Sequence, residues 1–437
     1  MGKKMTLMGK TRAALIAGAL SCACFVAPAG AADLGGNCCA DLEERIAELE
    51  ATTAKKGNRR VSLKLSGWVA EQIVYWDDGV ESNVYMTGLG TAFASNFNFT
   101  GEAKITEDVS AGYVLHVEVI TNDVYTTNQN RPRGPGLTGS ANSLQLLYSY
   151  WYLKSERLGK LSVGLQSPAD DNAIVSLDQS GSLVAAYWVA YDVFGFNVRG
   201  NFAPGNSMIW GNAVSCRGWG GGPGDCDGLP RDVVRYDSPA YGGFSFSASW
   251  GEDDAWAIAA RHFNTLGDWK VNAIATYGET MDSAHGAPWN GKLKYTQAGL
   301  YLQNMPTGLF AIGGFGHLDQ SQTPNAMNNP STNTYYVKAG LRRTWTELGA
   351  TIPYGEYLLG TDGAMMLNDN GTPLNVADDV SWVVDGSKAQ FWGVGVVQEI
   401  DAAAMSMWLR YRNHSVDVPG VNTKDMQTFA FGAFINF

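Results

Sequence analysis

The sequence predicts an all-β fold, a sixteen-stranded antiparallel transmembrane β-barrel with a short N-terminal helix, and three observations support this prediction. Apolar residues alternate with polar ones over most of the chain after residue 61. Short and long connections between these segments alternate along the chain, and the last segment is rich in aromatic residues. A soluble β-sandwich would also show the alternation, so the connection lengths and the last strand carry more weight.

Residues 1–31 have the pattern of a secretory signal peptide. Four basic residues precede the apolar run 13–26, and the small-residue tripeptide AGA follows at 29–31. The run is shorter than the roughly 18–20 apolar residues that a membrane-spanning helix needs. We therefore expect export, with cleavage before Ala32 or Asp33.

Composition and motifs argue against two classes of protein. The formal net charge is −11, and removal of the four basic residues of the signal peptide brings it to −15. A nucleic-acid-binding protein needs a basic surface, so we expect no nucleic acid partner. The chain has no G-x-S-x-G elbow, H-E-x-x-H motif or phosphate loop, and its five histidines share no metal-ligand spacing. We expect neither an enzyme nor a cofactor or metal site.

Four of the six cysteines lie beyond the signal peptide. Cys216 and Cys226 flank a glycine-rich segment, and an exported chain meets an oxidising periplasm, so we expect a disulfide between them. Zinc is the alternative for four thiolates, but adjacent cysteines without a nearby histidine fit a zinc site poorly. The role of Cys38 and Cys39 stays open, and this pair could bridge chains. Cys22 leaves acylation of a lipoprotein as a minor alternative.

Residues 32–58 differ from everything after them. Leu42, Ile46, Leu49 and Thr53 recur at 4-3-4 spacing among charged residues, which predicts a short helix with a coiled-coil seam. About two heptads are too few to associate strongly alone. The alternatives are an ordinary surface helix and a periplasmic stalk that joins subunits or touches the cell wall.

Residues 59–437 are predicted to form the barrel. Tight breaks of two to four residues alternate with breaks that are mostly much longer, as expected for short periplasmic turns and long external loops. One short break, at 252–253, stands where a long loop is due. The predicted strands are 61–76, 93–106, 109–121, 143–155, 160–166, 232–238, 243–251, 254–263, 268–278, 292–304, 308–318, 333–344, 348–360, 388–399, 403–414 and 427–437.

The last predicted strand places Phe429, Phe431, Ile435 and Phe437 on one face. A terminal phenylalanine exposed to water has little structural use, whereas at the edge of a bilayer it joins an aromatic girdle. Pairing of this strand with the first one would leave the barrel no open edge.

Several segments together resemble a known family. RDVVRYDSPAYGGFSFSASWG (231–251) is similar to the strand-turn-strand signature of general bacterial porins, and FGAFINF is similar to their closing strand. The signal peptide, the CCADLEERIAELEA helix and KLSGWV resemble alphaproteobacterial porins in particular. The resemblance implies an outer-membrane homotrimer whose subunits each hold a water-filled channel for passive diffusion of ions and small hydrophilic solutes. It also implies a third external loop that folds inward and narrows the channel.

The longest break in the predicted barrel, 167–231, is the candidate for this constriction loop. Its first part carries Asp170, Asp171 and Asp178. In the family, loop carboxylates face basic side chains on the opposite wall, and such a transverse field selects solutes by charge. Simple solvation of three loop aspartates is the alternative.

Strand parity predicts the basic side chains of the wall, because a charge on the lipid face costs roughly 2–4 kcal/mol at the midplane. The candidates are Lys64, Lys104, Arg235, Arg410 and Arg412, with Arg261, Lys270, Lys338 and Arg342 passing the same test less securely. The acidic loop and the negative net charge predict weak cation selectivity, which the basic wall opposes.

Two other interpretations remain open at this point. A substrate-specific channel, for example for sugars, would use aromatic side chains of the lumen as a stacking track. Trp68, Trp392 and Trp408 have the parity for that role. A structural barrel plugged by its long loop is the third interpretation.

Overall fold

The computed structural model describes residues 61–90, 93–122, 124–132, 142–186, 193–214, 230–251, 254–280, 292–322, 331–369 and 380–437. The predicted signal peptide, the predicted helix within 32–58 and all six cysteines lie outside these residues. No helix in the described part of the chain is long and apolar enough to cross a membrane.

Twenty-one β-strands form within the described residues, because segments with period-2 alternation place one face against lipid and the other inside. In chain order they are β1 Lys64–Asp77, β2 Ser82–Thr87, β3 Ser95–Lys104, β4 Val109–Thr121, β5 Asn142–Ser155, β6 Gly159–Gln166, β7 Asn206–Ser207, β8 Arg231–Asp237, β9 Phe244–Gly251, β10 Trp256–Leu266, β11 Trp269–Thr280, β12 Lys292–Asn304, β13 Leu309–Gln322, β14 Thr332–Leu341, β15 Arg343–Thr346, β16 Gly349–Thr361, β17 Met365–Asn368, β18 Val380–Val383, β19 Lys388–Ile400, β20 Met405–Asp417 and β21 Met426–Asn436. Short helices lie at Val175–Leu177, Leu183–Ala186, Trp210–Asn212 and Asp401–Ala403.

The main sheet is a closed antiparallel barrel. Its last strand pairs with its first, from Trp68 opposite Asn436 to Asp77 opposite Gln427, so that no edge is left open. The described strands fill sixteen positions around the barrel, which confirms the predicted number. Two positions are shared: β2 and β3 both pair with β1, and β14 and β15 both pair with β16. β2 lies in a predicted loop and is not among the predicted strands.

The two faces of the barrel differ as the alternation predicts. Phe429, Phe431 and Ile435 of β21 are exposed on the outer face, and the intervening Thr428 and Ala430 are buried inside. One assignment was wrong. Trp392 was predicted to face the lumen, but it is exposed on the outer face. Its neighbours Phe391 and Gly393 are the buried, inward-facing residues of β19.

The connection between β6 and β8 folds into the interior of the barrel. We call residues 167–186 the arm and residues 193–214 the mouth segment. The largest buried cluster joins both to the inner wall, through residues such as Ile174 and Leu177 of the arm and Trp210 of the mouth segment. A separate small sheet of β7, β17 and β18 links the mouth segment to the loop between β16 and β19.

Candidate pore lining and constriction loop

The arm runs along the inner wall and is fastened at both ends by arginines. At its start, Arg235 Nη1 of β8 donates hydrogen bonds to the carbonyl oxygens of Ser167 (3.0 Å) and Pro168 (3.2 Å). At its end, Arg412 Nη2 of β20 donates to the carbonyl oxygens of Ala185 (3.0 Å) and Ala186 (2.9 Å). These carbonyls end the short helix Leu183–Ala186, where a cation is favourably placed.

Between these ends the arm is held by side chains of successive strands. Arg261 Nη2 donates to the carbonyl oxygen of Ala169 (2.8 Å), and Asn272 Nδ2 donates to that of Leu177 (3.1 Å). Gln297 Nε2 donates to that of Asp170 (2.8 Å). Buried backbone oxygens need such partners, and β10, β11 and β12 supply them.

Glycines in the wall let the arm approach closely. A Cβ atom on Gly299 would lie 2.6 Å from Ile174 Cδ1, and one on Gly314 would lie 3.1 Å from Ile174 Cγ1. Glycine within a strand often marks the approach of another backbone. Here it creates the space in β12 and β13 that the apolar side of the arm fills.

The predicted acidic residues of the loop are buried against this wall. Asp178 forms an ion pair with Lys338 of β14, and their side chains are 2% and 0% exposed. Burial raises the pKa of Asp178, but the Lys338 ammonium and hydrogen bonds from Ser180 hold it below its ordinary value. Asp170 and Asp171 are also buried. A Cβ atom on Gly278 would lie 2.1 Å from Asp170 Oδ2, so this carboxylate lies directly on β11.

The predicted basic residues fall into two groups. Arg235, Arg410 and Arg412 contact the arm, whereas Lys64 and Lys104 are exposed near the periplasmic ends of β1 and β3. Arg410 Nη1 donates to the Ala185 carbonyl oxygen (2.6 Å), so Arg410 and Arg412 meet at the same point of the arm. The structure therefore brings the arginines to the loop and leaves the two lysines apart from it. A role of these eight acidic and basic residues at a constriction stays a prediction.

Sequence reasoning missed the carboxylate that neutralises Arg412. Glu356 of β16 accepts from Arg412 Nε (3.0 Å), and its other oxygen accepts from the Tyr336 hydroxyl (2.9 Å). Both members of the ion pair are 1% exposed. Strand parity could have identified Glu356 as an inward-facing residue, because it alternates in phase with Ile352 and Tyr354 along β16.

We call the inner faces of β1 and β3–β6, in their periplasmic halves, the open wall, because the arm does not cover them. Charged side chains remain accessible there. Lys154 is 45% exposed and lies 2.9 Å from Glu156 Oε1, and Lys160 is 34% exposed and lies 3.5 Å from Asp237 Oδ2. Glu102 is exposed as well. The exposed side chains of the arm, such as those of Ser176 and Gln179, are neutral.

The mouth segment is attached to the external loops. Phe196 packs edge-on against Trp76 of β1, with ring centroids 5.1 Å apart. Arg199 Nε donates to Asp78 Oδ2 (2.6 Å), and Arg199 also pairs with Glu81. Burial raises the pKa of Asp78, but the Glu81 backbone N–H, Arg199 and other donors lower it below its ordinary value. This segment therefore covers part of the external end of the barrel.

Within the described residues, no group of three or more His, Cys, Asp or Glu side chains could hold a metal ion.

Comparison with known proteins gives a family match and several structural neighbours. The Gram-negative porin model matches residues 19–436. The anion-selective porin from Comamonas acidovorans has a TM-score of 0.54 at 14% identity, over 86% of this chain and 100% of that chain. OmpF of Salmonella typhi, in complex with daunomycin, has 0.51 at 14% identity, over 87% and 99%. The outer membrane channel DcaP of Acinetobacter baumannii has 0.50 at 11% identity, over 87% and 99%. At these identities the likeness concerns the fold. No curated protein matches the sequence.

Proposed function

We propose a conducting path and an ion preference for this chain, starting from the premise that it belongs to the Gram-negative porin family. It is an outer-membrane channel for small solutes, and ions and small hydrophilic molecules cross it by passive diffusion. The conducting path that we propose lies between the arm and the open wall. The observation that carries this proposal is the one-sided attachment of the arm, from Arg235 of β8 to Arg412 of β20.

The ion preference follows from which charges stay accessible along that path. The acidic side chains of the arm are buried, and Asp178 is neutralised by Lys338. The open wall offers Lys64, Lys104, Lys154 and Lys160 against Glu102 and, in the turn after β5, Glu156; Asp237 of the neighbouring β8 is partly exposed beside Lys160. Low-dielectric walls focus the field of such charges across a narrow aqueous passage. We therefore propose weak anion preference, in contrast to the cation preference expected from the loop aspartates.

Planar-bilayer recordings test both parts of the proposal. A stable open step supports the channel, and silence would support a plugged barrel. Under a salt gradient, Lys104→Gln with Lys154→Gln and Lys160→Gln should move the zero-current potential toward cations. Lys388→Gln, at the external end of β19, is the matched control and should leave it unchanged. A potential that the triple variant does not move would place these lysines away from the conducting path.

We also propose an oligomeric state, a processing step and a disulfide for this chain. The chain is proposed to form homotrimers, to enter the membrane after cleavage of residues 1–31, and to be of the alphaproteobacterial type. Residues 32–58 would join subunits or touch the cell wall, and Cys216 and Cys226 would form a disulfide. Unheated detergent extracts should run as a heat-dissociable oligomer, and deletion of residues 33–57 should weaken it. A monomer by light scattering in mild detergent would contradict the trimer.

A further inference from the structure

Three tyrosines line the inner face of β5. Tyr148, Tyr150 and Tyr152 occupy successive inward positions beyond an irregularity in the pairing of β4 with β5. Consecutive residues of a strand rise about 3.3 Å, so neighbouring rings are about 7 Å apart along the strand. Tyr148 begins this row at the arm, because its hydroxyl lies 3.2 Å from Ser167 Oγ. The row then follows the open wall toward the periplasmic end.

The backbone of the neighbouring strands makes room for the rings. A Cβ atom on Gly112 of β4 would lie 2.2 Å from the ζ carbon of Tyr152, so the phenol end of this ring rests on the wall at Gly112. Its hydroxyl donates to Glu102 Oε2 (2.9 Å). Gly164 of β6 lies opposite Tyr150 and, as a glycine, places no side chain next to the tyrosine. Rings held in this way offer a face to the lumen at little cost in side-chain entropy.

Positive charges accompany the two lower rings. The Lys160 ammonium lies 6.0 Å from the centroid of the Tyr150 ring, and the Lys154 side chain follows Tyr152 along the strand. An aromatic face beside accessible ammonium groups can bind a planar group and an anionic group of one molecule at the same time.

We propose that Tyr150, Tyr152 and Lys160 form a stacking subsite for small aromatic carboxylates. This inference rests on the proposed conducting path and names a solute class for it. The solute ring lies against the tyrosine faces, and its carboxylate pairs with Lys160 in competition with Asp237, whose Oδ2 lies 3.5 Å from the ammonium. Neutral sugars would use the rings without the lysine, and they are one outcome of the test below.

The tryptophans considered from the sequence do not provide such a track. Trp408 is 2% exposed, and Trp392 faces outward. Trp68 packs against Phe434, with ring centroids 6.4 Å apart, at the first strand. On β5, by contrast, a partly exposed ammonium, that of Lys160, lies over the Tyr150 ring.

Block of the ion current in planar bilayers tests the subsite with three probes. Benzoate has the ring and the charge, cyclohexanecarboxylate has the charge without an aromatic face, and glucose has neither. We expect benzoate to block at the lowest concentration. Tyr150→Leu with Tyr152→Leu should raise its half-blocking concentration about two- to ten-fold, the range that aromatic stacking contributes. The same variant should leave cyclohexanecarboxylate unchanged.

Further variants separate the parts of the site. Tyr150→Phe with Tyr152→Phe keeps the ring faces and should retain block by benzoate. Lys160→Gln should weaken block by both carboxylates. Tyr335→Leu, on the outer face of β14, is the matched control and should change neither. Heat-modifiable gel mobility equal to that of the unaltered protein shows that each variant is folded.

Four outcomes would overturn the subsite. These are equal block by benzoate and cyclohexanecarboxylate, unchanged block after both tyrosines are replaced, stronger block by glucose, or a stable conductance that no probe reduces. In all four the channel still conducts, so the proposed function would stand. Silence of the unaltered protein would instead contradict the conducting path itself and the subsite with it.

Discussion

The two sides of the lumen use similar inward-facing residues for different purposes. On the covered wall, from β8 to β20, Arg235, Arg410 and Arg412 donate to backbone oxygens of the arm. On the open wall, Lys64 and Lys104 remain exposed. Both sets have the inward parity of their strands. Parity therefore determines the side of the sheet, whereas the arm determines whether a charge is available to a solute.

This difference also explains why the acidic loop does not present its charges to the proposed path. A carboxylate that leaves water without a partner is strongly unfavourable, so the loop places Asp178 on Lys338. The exposed side of the arm is then left to neutral residues such as Gln179. The comparison predicts that substitutions on the covered wall change stability and arm position, and that those on the open wall change mainly permeation.

The largest effect is expected from Arg412→Ala. This change leaves Glu356 as a buried carboxylate without its salt-bridge partner, bonded only to the Tyr336 hydroxyl among the pairs described above, and removes two hydrogen bonds to the arm. Removal of one partner of a buried ion pair typically costs about 3–5 kcal/mol. Urea unfolding of the refolded protein in micelles should show a loss of that size. The single-channel current should become noisier because the end of the arm is loosened: Ala186 loses its bond from Arg412, and Ala185 keeps only those from Arg410 and Tyr354.

The apolar double variant Arg412→Met with Glu356→Leu is the control for this prediction. It removes both charges of this ion pair, so neither is left buried without the other and most of the lost stability should return. The two hydrogen bonds from Arg412 to Ala185 and Ala186 stay absent, so the current noise should persist. Unfolding of the single variant at the same urea concentration as the unaltered protein would contradict the covered-wall assignment.

A smaller effect is expected at the other end of the arm, from Arg235→Ala. Its guanidinium binds two carbonyl oxygens of the arm and Asp237, but it is partly exposed and Asp237 keeps Lys160 as a partner. Loss of hydrogen bonds to a charged group typically costs about 2–3 kcal/mol. Arg157→Ala, in the exposed turn after β5, should cost less than about 1 kcal/mol. If both variants unfold alike, Arg235 does not fasten the arm.

Acid should loosen the mouth segment from the external loop after β1. The pKa of Asp78 is lowered in the folded chain, so its contacts stabilise above the ordinary aspartate pKa of about 3.9 and are lost as pH falls through the lowered value. Protection of residues 193–214 against hydrogen exchange, relative to the intrinsic exchange rate at each pH, should therefore fall below about pH 4. Arg199→Ala should produce about 1 kcal/mol of the same loosening at neutral pH.

The control for the pH effect is Asp78→Asn. It removes the titrating carboxylate, so protection of the mouth segment should be lower at neutral pH and, relative to the intrinsic exchange rate, should no longer depend on acid in this range. Exchange that accelerates equally in the unaltered protein and in this variant would assign the acid response to another group.

Much of the barrel could be predicted from the sequence, because alternation is a local signal. The predicted strands 109–121 and 292–304 coincide with β4 and β12. The missed strand β2 depends on pairing with the external half of β1, which no local pattern shows. The pairing of Asp178 with Lys338 joins residues 160 positions apart, and it depends on where the arm crosses the wall. Strand parity predicted which side chains of both walls point inward, but it could not predict which residues those side chains contact.

The smallest effect on stability is expected from Lys104→Gln on the open wall. Lys104 is exposed at the end of β3, and substitutions of exposed residues away from caps and buried contacts usually change stability by less than about 0.5 kcal/mol. Its urea unfolding should therefore match that of the unaltered protein, while the zero-current potential under a salt gradient moves slightly toward cations. The shift should shrink as ionic strength rises, because the charge is screened within about 8 Å at physiological salt. A clear loss of stability without any change in potential would reverse the comparison, since Lys104 would then behave as Arg412 is expected to behave.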